Sequence, residues 1–309
     1  MSIAILVHGG AGDIPAERAS TAQAGCQEAA LVGWRVLETG GSALDAVEAA
    51  VRALEDNPNF NAGTGAVLTS DGNIELDAGM MEGQTLRVGA VAGVERIKNP
   101  ISLARKVMES PHVLLVGKGA QQFAQEQGIP LCKFEDLLTE RQYKRWREST
   151  EQVKATQQEP TYHRRQVSST PAREDKHGTV GAVAIDTSGI LAAATSTGGT
   201  FNQYPGRVGD SPLVGCGFYA DDNAAVSCTG HGEDFIRLLI AKRAADCVAG
   251  GMSARDAAQA TIALLSTKAQ GLGGLIVVDR LGNVGFAWNS QHMAYAYLVE
   301  GMPEPLAGI

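Results

Sequence analysis

The sequence predicts an α+β fold in which two sheets are stacked between layers of helices, the four-layer αββα arrangement. Three observations carry this expectation. Short apolar runs with strand character occur in both halves of the chain, with amphipathic helical stretches grouped beside them. Glycine is frequent, 37 of 309 residues, while aromatics make up only 5%, which suits close-packed sheets with many tight turns. A polar stretch over about 148–178 then interrupts a chain that otherwise reads as one domain. Its mixed charges, Gln, Ser, Thr and prolines offer too little apolar surface to offset the entropy of ordering it, so a mobile linker is expected there.

The elements follow in order. Ser2 to His8 reads as a first strand, followed by Gly9-Gly10-Ala11-Gly12 and a helix over about Thr21–Glu38 that ends at Gly40-Gly41. Ser42-Ala43-Leu44-Asp45 fits a capping box, after which Val47, Ala50, Val51 and Leu54 share one helical face until Asn57-Pro58 stops the helix. Short strands are expected near Ala66–Thr69, Ile74–Asp77 and Arg87–Val94, then helices near Ile101–Met108 and Gly119–Gln127 around the apolar run Val113–Val116. A charged helix leads into the linker, and its cluster Arg141, Lys144, Arg145 and Arg147 reads as an exposed helix face. Beyond the linker come strands over Thr179–Ile185 and Ile190–Thr195, then Val214–Tyr219 and Ala224–Cys228. Helices near Gly232–Val248 and Ser253–Leu265 and a final hairpin, Leu275–Val278 with Val284–Trp288, complete the chain.

Composition narrows the function. A net charge of −8 argues against nucleic acid or an anionic membrane as the main partner, since phosphate backbones require concentrated positive charge. Five cysteines without metal-binding spacing read as reduced thiols. No leader or membrane-spanning run is visible, and a cytoplasmic protein is expected.

The chemistry-bearing segments cluster in the second half. Linker composition stops one residue before Thr179, where a buried strand begins. Cleavage before Thr179 would turn it into an N-terminal nucleophile; the alternative is a plain β-branched strand residue. Gly178, with no side chain, allows the Thr179 hydroxyl to approach its carbonyl, the arrangement an N-to-O acyl shift requires. The freed α-amine, with an ordinary pKa of roughly 7.7–8.0, would supply the base. Thr195-Ser196-Thr197-Gly198-Gly199 brings hydroxyls to the end of the neighbouring strand. Gly206-Arg207-Val208-Gly209-Asp210 offers either a clamp for the carboxylate and ammonium of an amino acid or an ion pair within its own loop. Cys228-Thr229-Gly230-His231-Gly232-Glu233 joins a strand to a helix start, where N–H groups and a hydroxyl can stabilise an oxyanion. No G-x-S-x-G elbow accompanies His231, and the loop at Gly9 lacks dinucleotide-binding spacing.

These four segments resemble the plant-type L-asparaginase/isoaspartyl peptidases, which are N-terminal nucleophile (Ntn) hydrolases. The likeness extends to His8-Gly9-Gly10-Ala11-Gly12, Asn59-Phe60-Asn61-Ala62-Gly63 and Leu76-Asp77-Ala78, and so spans nearly the whole chain. The resemblance implies an Ntn-hydrolase αββα sandwich over 1–309 that cleaves itself at Gly178-Thr179. It further implies that the α chain, 1–178, and the β chain, 179–309, stay together and form a dimer of such pairs. Thr179 would be the nucleophile and Thr197 its hydroxyl neighbour, with Thr229 and Gly230 as the oxyanion hole. Substrate would lie against Arg207, Val208, Gly209 and Asp210 and against Thr229, Gly230, His231 and Gly232, with Arg207 taking its carboxylate and Asp210 its amine. The loop from Leu54 is similar to the family's structural sodium loop, with backbone carbonyls of Leu54, Glu55, Asn57, Phe60, Ala62 and Thr64 as ligands. No cofactor is expected for the chemistry, and the implied substrates are L-asparagine and β-aspartyl dipeptides. His177-Gly178-Thr179 is similar to this group, whereas glycosylasparaginases, the alternative hydrolase, carry His-Asp-Thr. A non-catalytic small-molecule-binding α/β protein is the alternative outside the hydrolases. Asn289-Ser290-Gln291-His292-Met293-Ala294-Tyr295 departs from the family pattern.

Overall fold

The computed structural model describes residues 2–156 and 178–309, with side chains of the helical residues 153–156 left aside. His177 and the remainder of the expected linker, 157–177, lie outside the described residues. In the first part, β1 (Ala4–Gly12) leads to helices α1 (Ala16–Glu38) and α2 (Ala43–Asp56), then to β2 (Leu76–Glu82) and β3 (Val88–Val94). Next come α3 (Pro100–Met108), β4 (Leu114–Val116), α4 (Gly117–Glu126) and α5 (Glu140–Thr156). The second part opens with β5 (Val180–Ile185), β6 (Leu191–Thr197), β7 (Phe218–Ala220) and β8 (Ala224–Gly230). It continues through α6 (Gly232–Leu238), α7 (Ile240–Ala249), α8 (Ala254–Lys268), β9 (Gly273–Asp279), β10 (Val284–Trp288), β11 (His292–Val299) and β12 (Leu306–Gly308).

Eight strands form one sheet in the order β12-β11-β1-β5-β6-β2-β3-β4, and four form a second in the order β10-β9-β8-β7. Strand alternation explains why β1 and β5 carry apolar side chains on both faces over Ala4–Val7 and Ala182–Ile185. Ile5 and Val7 of β1 and Ala182 and Ala184 of β5 pack with Val47, Val51 and Leu54 of α2 on the helical side. Their neighbours Ala4, Leu6, Val183 and Ile185 instead face Phe218, Ile276 and Val278 of the second sheet. A third cluster joins Val226, Leu275 and Val277 of that sheet to Ile240, Ala244 and Ala258 of α7 and α8. The result is helices, sheet, sheet, helices: the predicted four-layer sandwich.

Local signals hold where they are specific. Ser42 caps α2 by accepting the Asp45 N–H at 3.1 Å. Buried Asp186, in the turn between β5 and β6, accepts the Ala43 N–H at 2.9 Å and ties that helix end to the sheet.

Several expectations fail for identifiable reasons. Ala66–Thr69 is buried but forms no strand, because its backbone bonds to loops: Val67 N–H donates to Asn61 Oδ1 at 2.8 Å, and Leu68 carbonyl accepts from Asn202 N–H at 2.8 Å. The helix expected over 232–248 breaks at Leu239, which takes a left-handed φ of 52° between α6 and α7. The hairpin of β9 and β10 is not final, since β11 pairs with β1 and β12 with β11. Helix α5 runs to Thr156, so the first residues of the stretch expected to be a mobile linker are helical.

Candidate active site

One edge of the large sheet, where β5 and β2 begin and β6 ends, builds the site. Thr179 stands one residue ahead of β5, not within it. It is buried, and its Oγ1 donates to Thr197 Oγ1, at the end of β6, over 3.3 Å. Thr197 Oγ1 also accepts the Gly199 N–H at 3.0 Å, which fixes the hydroxyl pair. In register with Thr197 on the other side stands Asp77, at the start of β2. From the second sheet, β8 brings Thr229 and Gly230 to the same edge, and Thr229 Oγ1 accepts the Ala11 N–H of β1 at 3.2 Å. That bond leaves the Thr229 O–H as a donor.

A cleft opens here, lined by Thr179, Thr197, Gly199, Thr200, Arg207, Gly209, Asp210, Ser211 and Gly230. Arg207 does not pair within its loop. Its Nε donates to Glu233 Oε1 at 3.0 Å and its Nη2 to Glu233 Oε2 at 2.9 Å, a two-point bond to the first turn of α6. Burial raises the Glu233 carboxyl, but the hydrogen bond and charge of Arg207 outweigh it and hold the group down at about 2. Asp210 differs: it is buried, and its Oδ2 finds no hydrogen-bond donor among the described residues. Burial pushes its carboxyl up to about 7, against the pull of its own amide and of Arg207. An orphaned acceptor beside a fixed guanidinium is a receptor for an ammonium next to a carboxylate. Gly232 permits this closeness, since a Cβ there would lie 3.0 Å from both Arg207 Nη2 and Asp210 Oδ1.

Not every predicted contact lines the cleft. Val208, Thr229, His231 and Gly232 do not, and the His231 ring turns to Asp234 Oδ2 at 3.1 Å and Glu233 Oε2 at 3.5 Å in α6. Sequence reasoning missed Gly199, Thr200, Ser211, Asp77 and Glu233 as contributors. Glu233 was hidden because an acid in a first helical turn is ordinary. Asp77 had a signal, a carboxylate inside an apolar strand. It accepts the Gly93 N–H at 2.8 Å, and burial raises it to about 6. His8 lies beneath the nucleophile with Nε2 2.9 Å from Ser227 Oγ. Burial takes it from its ordinary 6.5 down to about 3, against an opposing interaction with the Thr179 backbone, so it stays neutral and is a weak base. The side-chain hydrogen-bond partner of the His8 ring is Ser227 and not the Thr179 hydroxyl.

Gly178 is held between Gly10 and Asn61: a Cβ on Gly178 would stand 2.7 Å from Asn61 Cβ, and one on Gly10 would stand 3.0 Å from Gly178 Cα. Nearby, the loop after α2 is rich in converging carbonyls. A Cβ on Gly63 (φ +53°) would meet Glu55 O at 2.6 Å and Lys98 O at 2.8 Å, and one on Gly65 would meet Pro58 O at 2.5 Å and Phe60 O at 2.9 Å. Of these four carbonyls, those of Glu55 and Phe60 belong to the expected ligand set, and those of Pro58 and Lys98 do not. The Glu55 side chain is also buried. Its Oε1 accepts from Ile101 N–H at 3.0 Å and from Ser196 Oγ at 2.6 Å, and burial raises the carboxyl to about 8, so it carries a proton at neutral pH.

Comparison with known proteins agrees over the full length. A family model described as Asparaginase matches residues 1–304. The chain is 51% identical to a plant-type L-asparaginase of Pyrococcus horikoshii over 314 residues, covering 99% of this chain and 100% of that protein. A plant-type L-asparaginase of Thermococcus kodakarensis is likewise 51% identical, with 99% of each chain covered. An isoaspartyl peptidase/L-asparaginase of Mus musculus is 44% identical over 304 residues, 97% of this chain and 89% of that one.

Proposed function

Because this chain belongs to the Asparaginase family, we propose that its cleft hydrolyses L-asparagine and β-aspartyl dipeptides to release L-aspartate. One observation carries the reading at the level of atoms. A threonine hydroxyl bonded to a second hydroxyl shares its cleft with a clamped guanidinium and an orphaned buried carboxylate. Arg207 takes the substrate α-carboxylate and Asp210 its α-ammonium, which leaves the side-chain carbonyl facing Thr179. Thr179 Oγ attacks that carbonyl and forms an acyl-enzyme. The Thr229 hydroxyl and the Gly230 N–H stabilise the oxyanion, each such donor contributing about 2.7–4 kcal/mol in comparable sites. The amine leaves, water attacks the ester, and aspartate is released.

The base is the Thr179 α-amine, freed when the chain cuts itself between Gly178 and Thr179; general-base assistance of this kind is worth about 10²–10⁴ in rate. The sheet order supports survival of the cut molecule. Strands β5, β6, β11 and β12 from one side of the cut interleave with β1, β2, β3 and β4 from the other, so the α chain, 1–178, and β chain, 179–309, share one sheet. A dimer of such pairs and a cytoplasmic location complete the proposal. The five cysteines are free, and no helix among the described residues is long and apolar enough to cross a membrane. The loop after α2 holds a structural sodium through carbonyls of Leu54, Glu55, Asn57, Phe60, Ala62 and Thr64; it takes no part in the chemistry. Three of these carbonyls, of Leu54, Glu55 and Asn57, already accept one N–H each and keep a second lone pair.

On a denaturing gel the purified protein gives two bands, the smaller starting at Thr179, and Thr179→Ala gives one band with no aspartate release. A wild-type chain that stays whole on prolonged incubation would sink this mechanism.

A further inference from the structure

Asp77 sits where the pairing of β2 slips. On one side the register of β2 with β6 is continuous, and Asp77 stands opposite Thr197. On the other side Leu76 pairs with Val94 and Ala78 with Val91, so two residues of β3, Ala92 and Gly93, oppose Asp77 alone. This is a β-bulge, and Gly93 meets its backbone demand with a left-handed φ of 57°. The Gly93 N–H turns to Asp77 Oδ1 at 2.8 Å. Bulges beside active sites re-aim side chains, and the side chain here is a buried carboxylate between Leu76 and Ala78.

That carboxylate faces the loop that carries Arg207 and Asp210. Burial raises it, against hydrogen bonds from the Gly93 and Gly209 N–H groups and the charge of Arg207. Gly209 is buried, so its N–H needs an acceptor within the protein, and Asp77 supplies one. Two residues earlier, Glu75 accepts the Gly206 N–H with both oxygens, at 3.1 and 2.8 Å. The two acids thus hold the glycines on either side of Arg207-Val208. Neither acid lines the cleft, whereas Arg207, Gly209 and Asp210 all do. Arg207 and Asp210 carry opposite charges three residues apart, and a slack loop would let them collapse onto each other. Held as it is, the loop sends Arg207 to Glu233 and leaves Asp210 Oδ2 without a donor among the described residues.

We propose that Asp77, aimed by the bulge at Gly93, and Glu75 beside it are positioning residues: by holding Gly209 and Gly206 they keep Arg207 and Asp210 set for a substrate's α-carboxylate and α-ammonium. This rests on the hydrolase reading above and adds to it the residues that hold its clamp. Because both acids act through the loop, removing either weakens substrate binding and leaves the chemical step in place. Asp77→Asn keeps the shape of the side chain but removes its charge and one of its two acceptor oxygens.

The test measures L-asparagine turnover and, by calorimetry, L-aspartate binding in the wild type, Asp77→Asn and Glu75→Ala, with maturation followed on a denaturing gel. KM is expected to rise about tenfold in Asp77→Asn and about threefold in Glu75→Ala, with kcat within about twofold of the wild type. Affinity for L-aspartate falls in step. Both variants still mature into two chains, because Gly178 is held by Gly10 and Asn61 and not by this loop. A kcat that falls at constant KM would set Asp77 behind Thr197 instead of the clamp and overturn the proposal, as would unchanged kinetics in both variants. If Asp77→Asn yields no folded protein, Glu75→Ala decides by the same split between KM and kcat. A wild type that releases no aspartate would remove the hydrolase reading. The clamp then stands or falls on L-aspartate binding, and equal affinity in the wild type and the folded variants overturns it.

Discussion

Replacing Asp210 by asparagine should make this protein more stable and less active, and the size of the stability change is set by burial. In the folded chain the Asp210 carboxyl holds its proton up to about pH 7, against an ordinary value of 3.8. Ionising it inside the protein therefore costs about 4 kcal/mol relative to water. Between those two pH values the folded state binds more protons than the unfolded one, so the free energy of unfolding falls as pH rises, and the loss is complete above pH 7. An asparagine amide at this position has the same shape and carries no charge. The stability advantage of Asp210→Asn should thus grow by about 2–3 kcal/mol between pH 5 and pH 8. The comparison is made by urea unfolding at several pH values, with Thr179→Ala in both proteins so that each is one intact chain. Glu55, at about 8, titrates in both proteins and cancels in the difference, whereas the charge of Asp77 acts on Asp210 and is part of what the difference reads. Without the Thr179 change, Asp210→Asn should lose about a hundredfold in kcat/KM for asparagine, because the ammonium loses a charged acceptor. A stability difference that stays flat from pH 5 to pH 8 would refute the argument that buried charge at this position opposes folding and serves binding.

Two further outcomes follow from neighbouring groups. Glu233→Gln removes the charged two-point bond that aims Arg207, and since Glu233 is about half exposed the effect is moderate. KM for asparagine should rise about three- to tenfold, with kcat little changed, because Arg207 does not touch the reacting carbonyl; a fall in kcat at constant KM would contradict the assignment. If the loop after α2 holds sodium, the melting temperature should be higher in sodium chloride than in tetramethylammonium chloride of equal ionic strength, since only the bound ion shifts the equilibrium by mass action. Identical melting curves would leave the loop without its ion.

Much of the fold was legible because its signals are local. Ser42 and Asp45 specify a cap between residues three apart, and β5 and the Leu191–Ala194 part of β6 carry no polar side chain because both faces of that sheet are covered. The failures occurred where distant partners decide. Ala66–Thr69 has strand-like residues but spends its hydrogen bonds on Asn61 and the loop at Asn202, so no strand forms. In β11 the run His292-Met293-Ala294-Tyr295-Ala296-Tyr297-Leu298 carries small and aromatic residues in alternation, a weak signal on its own that pairing with β1 and β12 turns into a strand.

The sequence by itself determined the layers, the strand that follows Thr179 and the types of group that could do chemistry, since periodicity, caps and residue chemistry are properties of short stretches. Only the tertiary structure decided their partners. It turned Arg207 to Glu233 instead of Asp210, left Asp210 Oδ2 without a donor among the described residues, and directed His231 into α6. It also split one basic cluster into two exposed side chains and two that line a cavity beside Gly178. These outcomes depend on which surfaces exclude water and which atoms converge from segments far apart in the chain, and no local pattern carries that information.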